Sequence, residues 1–204
     1  MNNRTNSSYI FIGIGIVFIL IILISQLSNR PTAYTMKLEK SRTQKNLQFK
    51  NDPESPIPQE VKADFEALLY FPVDETYKVE AELQEKNATD TIRLMTTTGE
   101  DREMVEAGKL DFVLQGQKQR LTVFRYLDGP QDELFVPFRD LTTGISTYGG
   151  GRYIDMPMSQ PLVLDLNLAY NTYCVYNAKF SCPIPPLENS IQLEIRAGEL
   201  DWKE

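Results

Sequence analysis

An uninterrupted apolar stretch near the N-terminus sets the strongest limit on how this chain can fold. No charged residue lies between Arg4 and Arg30, and residues 10–24 consist only of Ile, Leu, Val, Phe and Gly. About 20 apolar residues in a helix, at about 1.5 Å per residue, cross a hydrocarbon core of about 30 Å. A cleaved signal peptide is the alternative, but no Ala-x-Ala cleavage pattern follows the stretch. The sequence therefore predicts a single-pass transmembrane anchor at residues 9–27, preceded by a short polar tail at residues 1–8.

Charge divides the chain unevenly. Residues 1–30 carry +2, residues 31–50 carry +4 and residues 51–204 carry −13, which gives −7 for the whole chain. An acidic domain repels a phosphate backbone, so no nucleic-acid partner is expected. The basic segment suits contact with anionic headgroups of the membrane, although an ordinary solvated linker explains it equally well. More Lys and Arg residues follow the anchor than precede it, which favours a cytoplasmic domain. The side of the membrane stays open, because single N-terminal anchors often insert the other way.

The chain contains no histidine, and this excludes several kinds of active site. A Ser or Cys nucleophile has no His base to pair with, and a His-ligated zinc or iron centre cannot form. Two cysteines alone do not complete a four-ligand zinc site. No metal and no cofactor are therefore predicted, and any acid–base chemistry must come from Asp, Glu, Lys, Tyr or Cys.

The segment after the anchor is predicted to be a linker followed by one short helix. Residues 28–52 are polar and basic, with few large apolar side chains, and are interpreted as a linker. Val61, Phe65 and Leu68 fall on one helical face. Together with a proline at each end of the run, this spacing predicts an amphipathic helix at residues 58–69.

From residue 77 onwards the apolar period changes to two, which is typical of strands with one buried face. Turn signals separate the runs. A series of short strands with regular turns predicts an antiparallel β-sandwich or barrel over residues 53–204. The strands are expected near residues 77–84, 92–94, 120–127, 134–138 and 191–197.

Polar residues concentrate between residues 140 and 189. The first group surrounds the glycine run 149–151, which lets the backbone approach a ligand closely. Arg152 follows as a fork for a carboxylate or phosphate, with Asp140 before the run. A tight strand connection with a structural arginine is the alternative.

The second group lies in a leucine-rich run. Leu162, Leu164, Leu166 and Leu168 are expected on one face of a strand, which turns Asp165 and Asn167 together to the other face. A carboxylate beside an amide suits ligand binding, and it suits the anchoring of a neighbouring loop equally well.

The third group contains the cysteines. Cys174 and Cys182 lie eight residues apart across a loop of hairpin length. In an oxidising compartment they would form a disulfide, and in cytosol they would stay free thiols. A catalytic cysteine needs a neighbour that lowers its pKa, and Lys179 is the only cation within the loop.

A set of short motifs is distributed through the second part of the chain: Ser55-Pro56, Leu69–Pro72, Phe138–Asp140, Thr142, Gly144, Thr147-Tyr148, Gly151–Asp155, Asp165–Asn167, Ala169–Asn171, Cys174–Asn177, Ser181–Pro183, Pro185-Pro186, Glu188-Asn189 and Ala197–Glu199. Together these motifs resemble the domain of unknown function 1684 family of uncharacterised bacterial proteins. The resemblance spans about residues 45–200. Leu166 replaces a Phe and Thr172 replaces a Pro of the family pattern. The resemblance implies no known reaction, substrate or partner, and it leaves the redox state of the cysteines open.

The leading hypothesis is a membrane-held module that binds a small molecule or a protein partner, with no established catalytic activity. A hydrolase-type enzyme is the alternative, with Asp140, Asp165 and Glu188 as carboxylates and Arg152 as charge stabiliser. A third interpretation makes the polar segment structural, with its groups satisfying one another. The candidate ligand-binding residues are Asp140, Tyr148, Arg152, Asp165, Asn167, Tyr170, Asn171 and Glu188.

Overall fold

The predicted linker contains a long helix. The structure, a computed structural model, describes Phe11, Ile14, Val17 and residues 31–86 and 91–202. Helix α1 (Ala33–Asn51) has no Gly or Pro and is rich in Lys, Glu, Gln and Arg, which favour helices. The Thr35 amide donates to the Thr32 side chain just before its first turn, at 3.1 Å. The interpretation of residues 28–52 as a linker did not anticipate this helix, because the segment is highly charged and has few large apolar residues.

The predicted anchor at residues 9–27 lies outside the described residues, apart from three helical positions. Within the part of the chain that the structure describes, no helix combines the length and apolarity needed to cross a membrane. The chain forms two units, residues 1–43 and residues 44–204. All the strands among the described residues belong to the second unit.

The amphipathic helix expected at residues 58–69 is wrong in length. Helix α2 covers only Gln59–Lys62. The chain then extends, and Phe65 and Leu68 enter an apolar cluster with Phe49 and Tyr176. A helix and an irregular segment can both bury Phe65 and Leu68, so the spacing of apolar residues alone could not distinguish the two conformations.

Eight antiparallel strands form one sheet in the described residues. The mainly β class is confirmed, and the strands expected before residue 140 are present. The order is β7-β1-β3-β4-β5-β6-β8, with β2 paired to β3. The described residues also contain three single-turn 3₁₀ helices: Glu75–Tyr77 before β1, Leu166–Leu168 between β7 and β8, and Tyr173–Val175 after β8. The strand bounds are β1 Lys78–Glu85, β2 Thr91–Met95, β3 Asp101–Leu114, β4 Gln117–Tyr126, β5 Glu133–Phe138, β6 Arg152–Pro157, β7 Val163–Asp165 and β8 Tyr170–Asn171.

Both faces of the central strands are buried. Consecutive side chains point to opposite faces, so Ile154 enters the larger core with Val123 and Val136, while Tyr153 enters a second, aromatic core with Phe135. Strands covered on both faces read as continuous apolar runs rather than as alternation.

The longest strand, β3, was not predicted because a bulge changes its phase. The pairing with β4 shifts between Glu106 and Gly108. Met104 therefore enters the aromatic core and Leu110 the larger core, although an even number of residues separates them. Gly108 has a φ of +150°, and a Cβ there would lie 2.2 Å from the Gln84 carbonyl oxygen. Only glycine fits at this position, where the backbone of β3 approaches that of β1.

The strand expected near residues 191–197 is wrong: the segment bends at Gln192 and Leu193 and forms no strand of the sheet. Ile191 and Ile195 are buried as the period of two predicts. The Ile191 amide bonds to the Arg139 carbonyl, and the Leu193 carbonyl accepts from Leu141. Other carbonyls of this C-terminal segment accept hydrogen bonds from a buried side chain rather than from a neighbouring strand.

Candidate functional site

Asp140 and Arg152 meet in a closed, buried ion pair. The pairing of Phe138 with Arg152 closes the intervening loop against the end of the sheet. Arg152 Nη2 lies 2.8 Å from Asp140 Oδ2, and only 1% of the Arg152 side chain is exposed. Asp140 Oδ1 accepts from the Thr142 amide at 2.7 Å and from its hydroxyl at 2.5 Å. Both carboxylate oxygens are therefore occupied by the protein itself.

The two terminal nitrogens of Arg152 also hold the C-terminal segment, whereas its Nε has no hydrogen-bond partner among the described residues. Nη1 donates to the carbonyls of Ala197 and Glu199, and Nη2 donates to that of Ile195. Burial lowers the pKa of Arg152, and the Asp140 charge opposes this effect. The guanidinium donates the hydrogen bonds that a neighbouring strand would otherwise supply to these carbonyls. The C-terminal segment is therefore held without strand pairing. This geometry matches the alternative interpretation from the sequence, in which Arg152 is a structural arginine in a tight strand connection.

Asp165 and Asn167 form a second closed group. Strand β7 ends at Asp165, so the expected strand through Leu168 is wrong, and a 3₁₀ turn begins instead. Asp165 Oδ1 accepts from the Asn167 amide at 3.1 Å. The Asn167 side chain bonds to both the N–H and the C=O of Asp74, at 3.0 and 2.8 Å. The Asn167 side chain therefore bonds to this peptide as a neighbouring strand would, and it anchors the loop at Asp74. This is the loop-anchoring alternative from the sequence.

Glu199 organises a third group that sequence reasoning missed. Its Oε2 accepts from the Asn171 amide at 2.7 Å and from the Tyr176 hydroxyl at 3.0 Å. Its Oε1 is paired with Lys45 on α1. A buried carboxylate needs such partners. The sequence signal was weak, because only the Gly198-Glu199 step stood out. Glu188, by contrast, is exposed.

Tyr170 lies at a cavity of about 460 Å³ on the aromatic face of the sheet. Asp155 lines it from β6, pointing to the same face as Tyr153. The Tyr170 hydroxyl donates to Asp155 Oδ2 at 2.5 Å. The other lining residues are Lys45, Arg102, Tyr126, Tyr153, Thr172, Tyr173, Phe180, Ser181, Cys182 and Pro183.

Asp155 has an unfilled hydrogen-bonding position. Its Oδ1 is buried and, among the described residues, has no hydrogen-bond partner. Burial raises the pKa of Asp155, and the Tyr170 hydroxyl and the Lys45 ammonium oppose this only in part. A charged residue within the apolar run of β6 was the available sequence signal. The sequence patterns gave Asp155 no role beyond the family resemblance.

Tyr148 lies beside the cysteines, which are both free thiols. Its hydroxyl is 3.7 Å from Cys174 Sγ, and the Thr172 hydroxyl is 2.7 Å from the same sulfur. The Cys174 backbone N–H donates to Cys182 Sγ at 3.3 Å. Cys182 also lines the Asp155 cavity.

The eight candidate residues therefore separate into different surroundings. Asp140 with Arg152, and Asp165 with Asn167, form two closed groups; Asn171 joins Glu199. Only Tyr170 among the eight lines the Asp155 cavity. A second cavity of about 390 Å³ lies across β8, with Asn171, Tyr176 and Trp202 in its lining.

The fold and the cavity define a mainly antiparallel β domain with an aromatic pocket on one sheet face. Residues 63–200 match the family described as "Protein of unknown function (DUF1684)". The chain belongs to this family, which confirms the resemblance; the bacterial origin stays a prediction.

A solved relative has the same kind of fold. The solution NMR structure of an uncharacterized protein of Haloarcula marismortui is 36% identical, with a TM-score of 0.65. The alignment covers 82% of this chain and 94% of that protein. A search of curated proteins gives no match.

Proposed function

We propose that the domain binds a small planar molecule carrying an N–H donor, in the cavity at Asp155, and that residues 9–27 hold the protein at a membrane. One observation carries the binding proposal: Asp155 Oδ1 is buried at the cavity without a hydrogen-bond donor from the described residues. An unpaired buried acceptor is costly, and a ligand donor removes that cost. The binding module was also the leading hypothesis from sequence, with a different set of residues.

The shape and lining of the cavity support a small planar ligand. Its volume of about 460 Å³ falls within the range of about 300–1,000 Å³ typical of small-molecule sites. Five aromatic side chains line it: Tyr126, Tyr153, Tyr170, Tyr173 and Phe180. Such rings bury apolar ligand surface and favour stacked or edge-on contacts.

The charges at the cavity favour a donor or a cation over an anion at Asp155. Lys45 is already paired with Glu199 and lies over the Tyr170 ring, 5.1 Å from its centroid. Its charge is therefore committed within the protein. Arg102 is exposed at the rim. The raised pKa of Asp155 indicates that the carboxylate lacks compensating charge, which a ligand ammonium supplies.

Benzylamine is a suitable probe, because it combines a ring with an ammonium group. The full-length protein in phosphatidylcholine nanodiscs is titrated with benzylamine and, as a matched anion, with benzoate. Saturation-transfer NMR then reports binding, with empty nanodiscs as the lipid control. We expect a signal from benzylamine that Asp155→Asn reduces at least tenfold. Equal signals from wild type and Asp155→Asn, or a signal from benzoate alone, would contradict the proposal.

The anchor proposal rests on the uncharged stretch of the sequence. Alkaline carbonate washing of membranes tests it: the full-length chain should stay in the pellet, and a variant lacking residues 9–27 should be released. Release of both would disprove the anchor.

The basic residues after the anchor favour a cytoplasmic domain. A membrane-impermeant maleimide tests this orientation through Cys174, which is half-buried. Labelling is expected only after the cells are permeabilised, with and without prior reduction. Labelling in intact cells would place the domain outside.

The hydrolase alternative receives no support from the geometry. It needs two carboxylates that face one cleft. Asp140 is paired with Arg152, Asp165 caps a turn, and Glu188 is exposed. None of the three lines the Asp155 cavity.

A further inference from the structure

The two thiols are arranged as an unequal pair. Cys174 lies in the 3₁₀ helix Tyr173–Val175, just after β8, and its backbone N–H donates to Cys182 Sγ at 3.3 Å. This hydrogen bond joins two cysteines that are eight positions apart. Cys174 is half-buried, whereas only 7% of Cys182 is exposed.

Two hydroxyl groups lie close to the sulfur of Cys174. The Thr172 hydroxyl lies 2.7 Å and the Tyr148 hydroxyl 3.7 Å from Cys174 Sγ. Burial raises the pKa of Tyr148 to about 12, so its hydroxyl stays protonated and can donate to the sulfur. Donors of this kind stabilise a thiolate.

From this geometry we propose that Cys174 and Cys182 form a reversible dithiol–disulfide couple that exchanges with small disulfides, with Cys174 as the attacking sulfur and Cys182 as the resolving one.

The acid–base properties of the pair agree with these roles. Hydrogen bonding from the Cys182 thiol, together with that from Thr172 and Tyr148, lowers the pKa of Cys174 to about 5, against the effect of burial. The same shared hydrogen bond, together with burial, raises the pKa of Cys182. At neutral pH the more accessible sulfur is the thiolate, which is the nucleophile in exchange.

The exchange proceeds in two balanced steps. The Cys174 thiolate attacks one sulfur of a disulfide RSSR; the S–S bond breaks, RS⁻ leaves, and a mixed disulfide joins Cys174 to R. Cys182 then loses its proton to the departing thiolate, and its sulfur attacks Cys174 Sγ. The Cys174–Cys182 bond forms and the second RS⁻ leaves. Counted from the Cys174 thiolate, the two cysteines lose two electrons and one proton, which the first RS⁻ takes up. The second RS⁻ takes its proton from the solvent, so RSSR becomes two RSH.

The couple also bears on the Asp155 cavity, and this link rests on the proposed function. The loop between the cysteines and the residues that flank it supply half of the cavity lining: Thr172, Tyr173, Phe180, Ser181, Cys182 and Pro183. A disulfide would fix this wall. We therefore expect benzylamine affinity to differ at least threefold between the oxidised and reduced protein.

Glutathione disulfide is the probe for the couple itself. The full-length protein is incubated with it, quenched with N-ethylmaleimide and weighed as an intact chain. Wild type should lose two hydrogen masses and take up no maleimide. Cys182→Ser should accumulate a glutathione adduct at Cys174, whereas Cys174→Ser should react at least tenfold more slowly. Tyr148→Phe, which removes one donor, should slow adduct formation severalfold in the Cys182→Ser background.

Circular dichroism and thermal melting confirm that each variant is folded before its rate is compared. Equal adduct rates for the two serine variants, or a wild type that stops at the adduct, would overturn the couple. If the disulfide forms but benzylamine binds equally in both redox states, the link to the cavity fails while the couple stands. If benzylamine never binds, only the proposed function fails.

Discussion

Strand β6 carries two polar residues to opposite faces of the sheet, and they meet opposite conditions. Arg152 enters a closed centre in which Asp140 and three carbonyls use its donors. Asp155 enters the aromatic face, where one carboxylate oxygen is bonded by Tyr170 and the other has no partner in the described residues. The contrast teaches that polar residues within one short stretch can differ completely in role. Arg152 Nε also has no partner among the described residues, but both terminal nitrogens of the guanidinium are bonded within the fold, which marks Arg152 as structure. The unpaired oxygen of Asp155 belongs to a residue that lines a cavity, which marks Asp155 as a site.

The largest expected effect is on the closed centre. Arg152→Ala leaves the buried Asp140 carboxylate unpaired, so the free energy of unfolding should fall by about 3–5 kcal/mol. Urea unfolding, followed by the fluorescence of the single tryptophan, Trp202, measures this loss. A loss below about 1 kcal/mol would mean that the centre does not stabilise the fold.

A second closed contact should show a smaller loss. The buried Asn189 side chain accepts from the Thr122 N–H and donates to the carbonyls of Thr122 and Pro137, at 2.7–2.8 Å. Asn189→Ala should lower the free energy of unfolding by about 2–3 kcal/mol, because buried backbone groups lose their partners. Asn177→Ala removes an exposed turn bond to the Lys179 amide and serves as the control. Similar losses in both variants would count against the role assigned to Asn189.

A substitution at the cavity should change the free energy of unfolding in the opposite direction. The pKa of Asp155 is raised in the folded state above 3.8 by burial, so folding disfavours its charged form. Asp155→Asn should therefore be at least as stable as wild type at pH 7. The advantage should shrink as the pH falls through the folded-state pKa and vanish below about 4, where both states of wild type are protonated. Paired urea unfolding curves between about pH 3 and 7 measure this difference in stability. An Asp155→Asn variant that is clearly less stable at pH 7 would make Asp155 a structural residue.

The smallest effect is expected at the surface. Arg93 and Glu103 are both exposed, with 3.5 Å between their nearest charged atoms. Arg93→Ala should change the free energy of unfolding by less than about 1 kcal/mol and leave benzylamine binding unchanged. A change as large as that of Arg152→Ala would remove the contrast between buried and exposed pairs.

The sequence predicted the class of fold better than the site. Period-two spacing located β1 and β2, and runs of β-branched and aromatic residues located β4 and β5. The bulge at Gly108 hid β3, because a bulge depends on the approach of another strand. Helix α1 was not predicted, because its many charged and polar residues gave no apolar face with helical spacing.

The site escaped prediction for a related reason. Sequence shows which residues are polar, but not whether their partners are supplied by distant backbone. Arg152 bonds to carbonyls more than 40 positions away, and Asn167 bonds to the Asp74 peptide 93 positions away. Asp155, with one oxygen unpaired, lies within the same stretch and looked less distinctive than either.

Carboxyl-detected ¹³C NMR of aspartate-labelled, full-length protein addresses the cavity directly. The Asp155→Asn variant assigns the Asp155 resonance, and a pH titration gives its pKa with and without benzylamine. We expect a pKa above the ordinary 3.8 that falls when the ammonium binds, because a cation favours the charged carboxylate. A pKa at or below 3.8 that benzylamine leaves unchanged would show that Asp155 is already satisfied within the fold, and that the cavity is not its binding site.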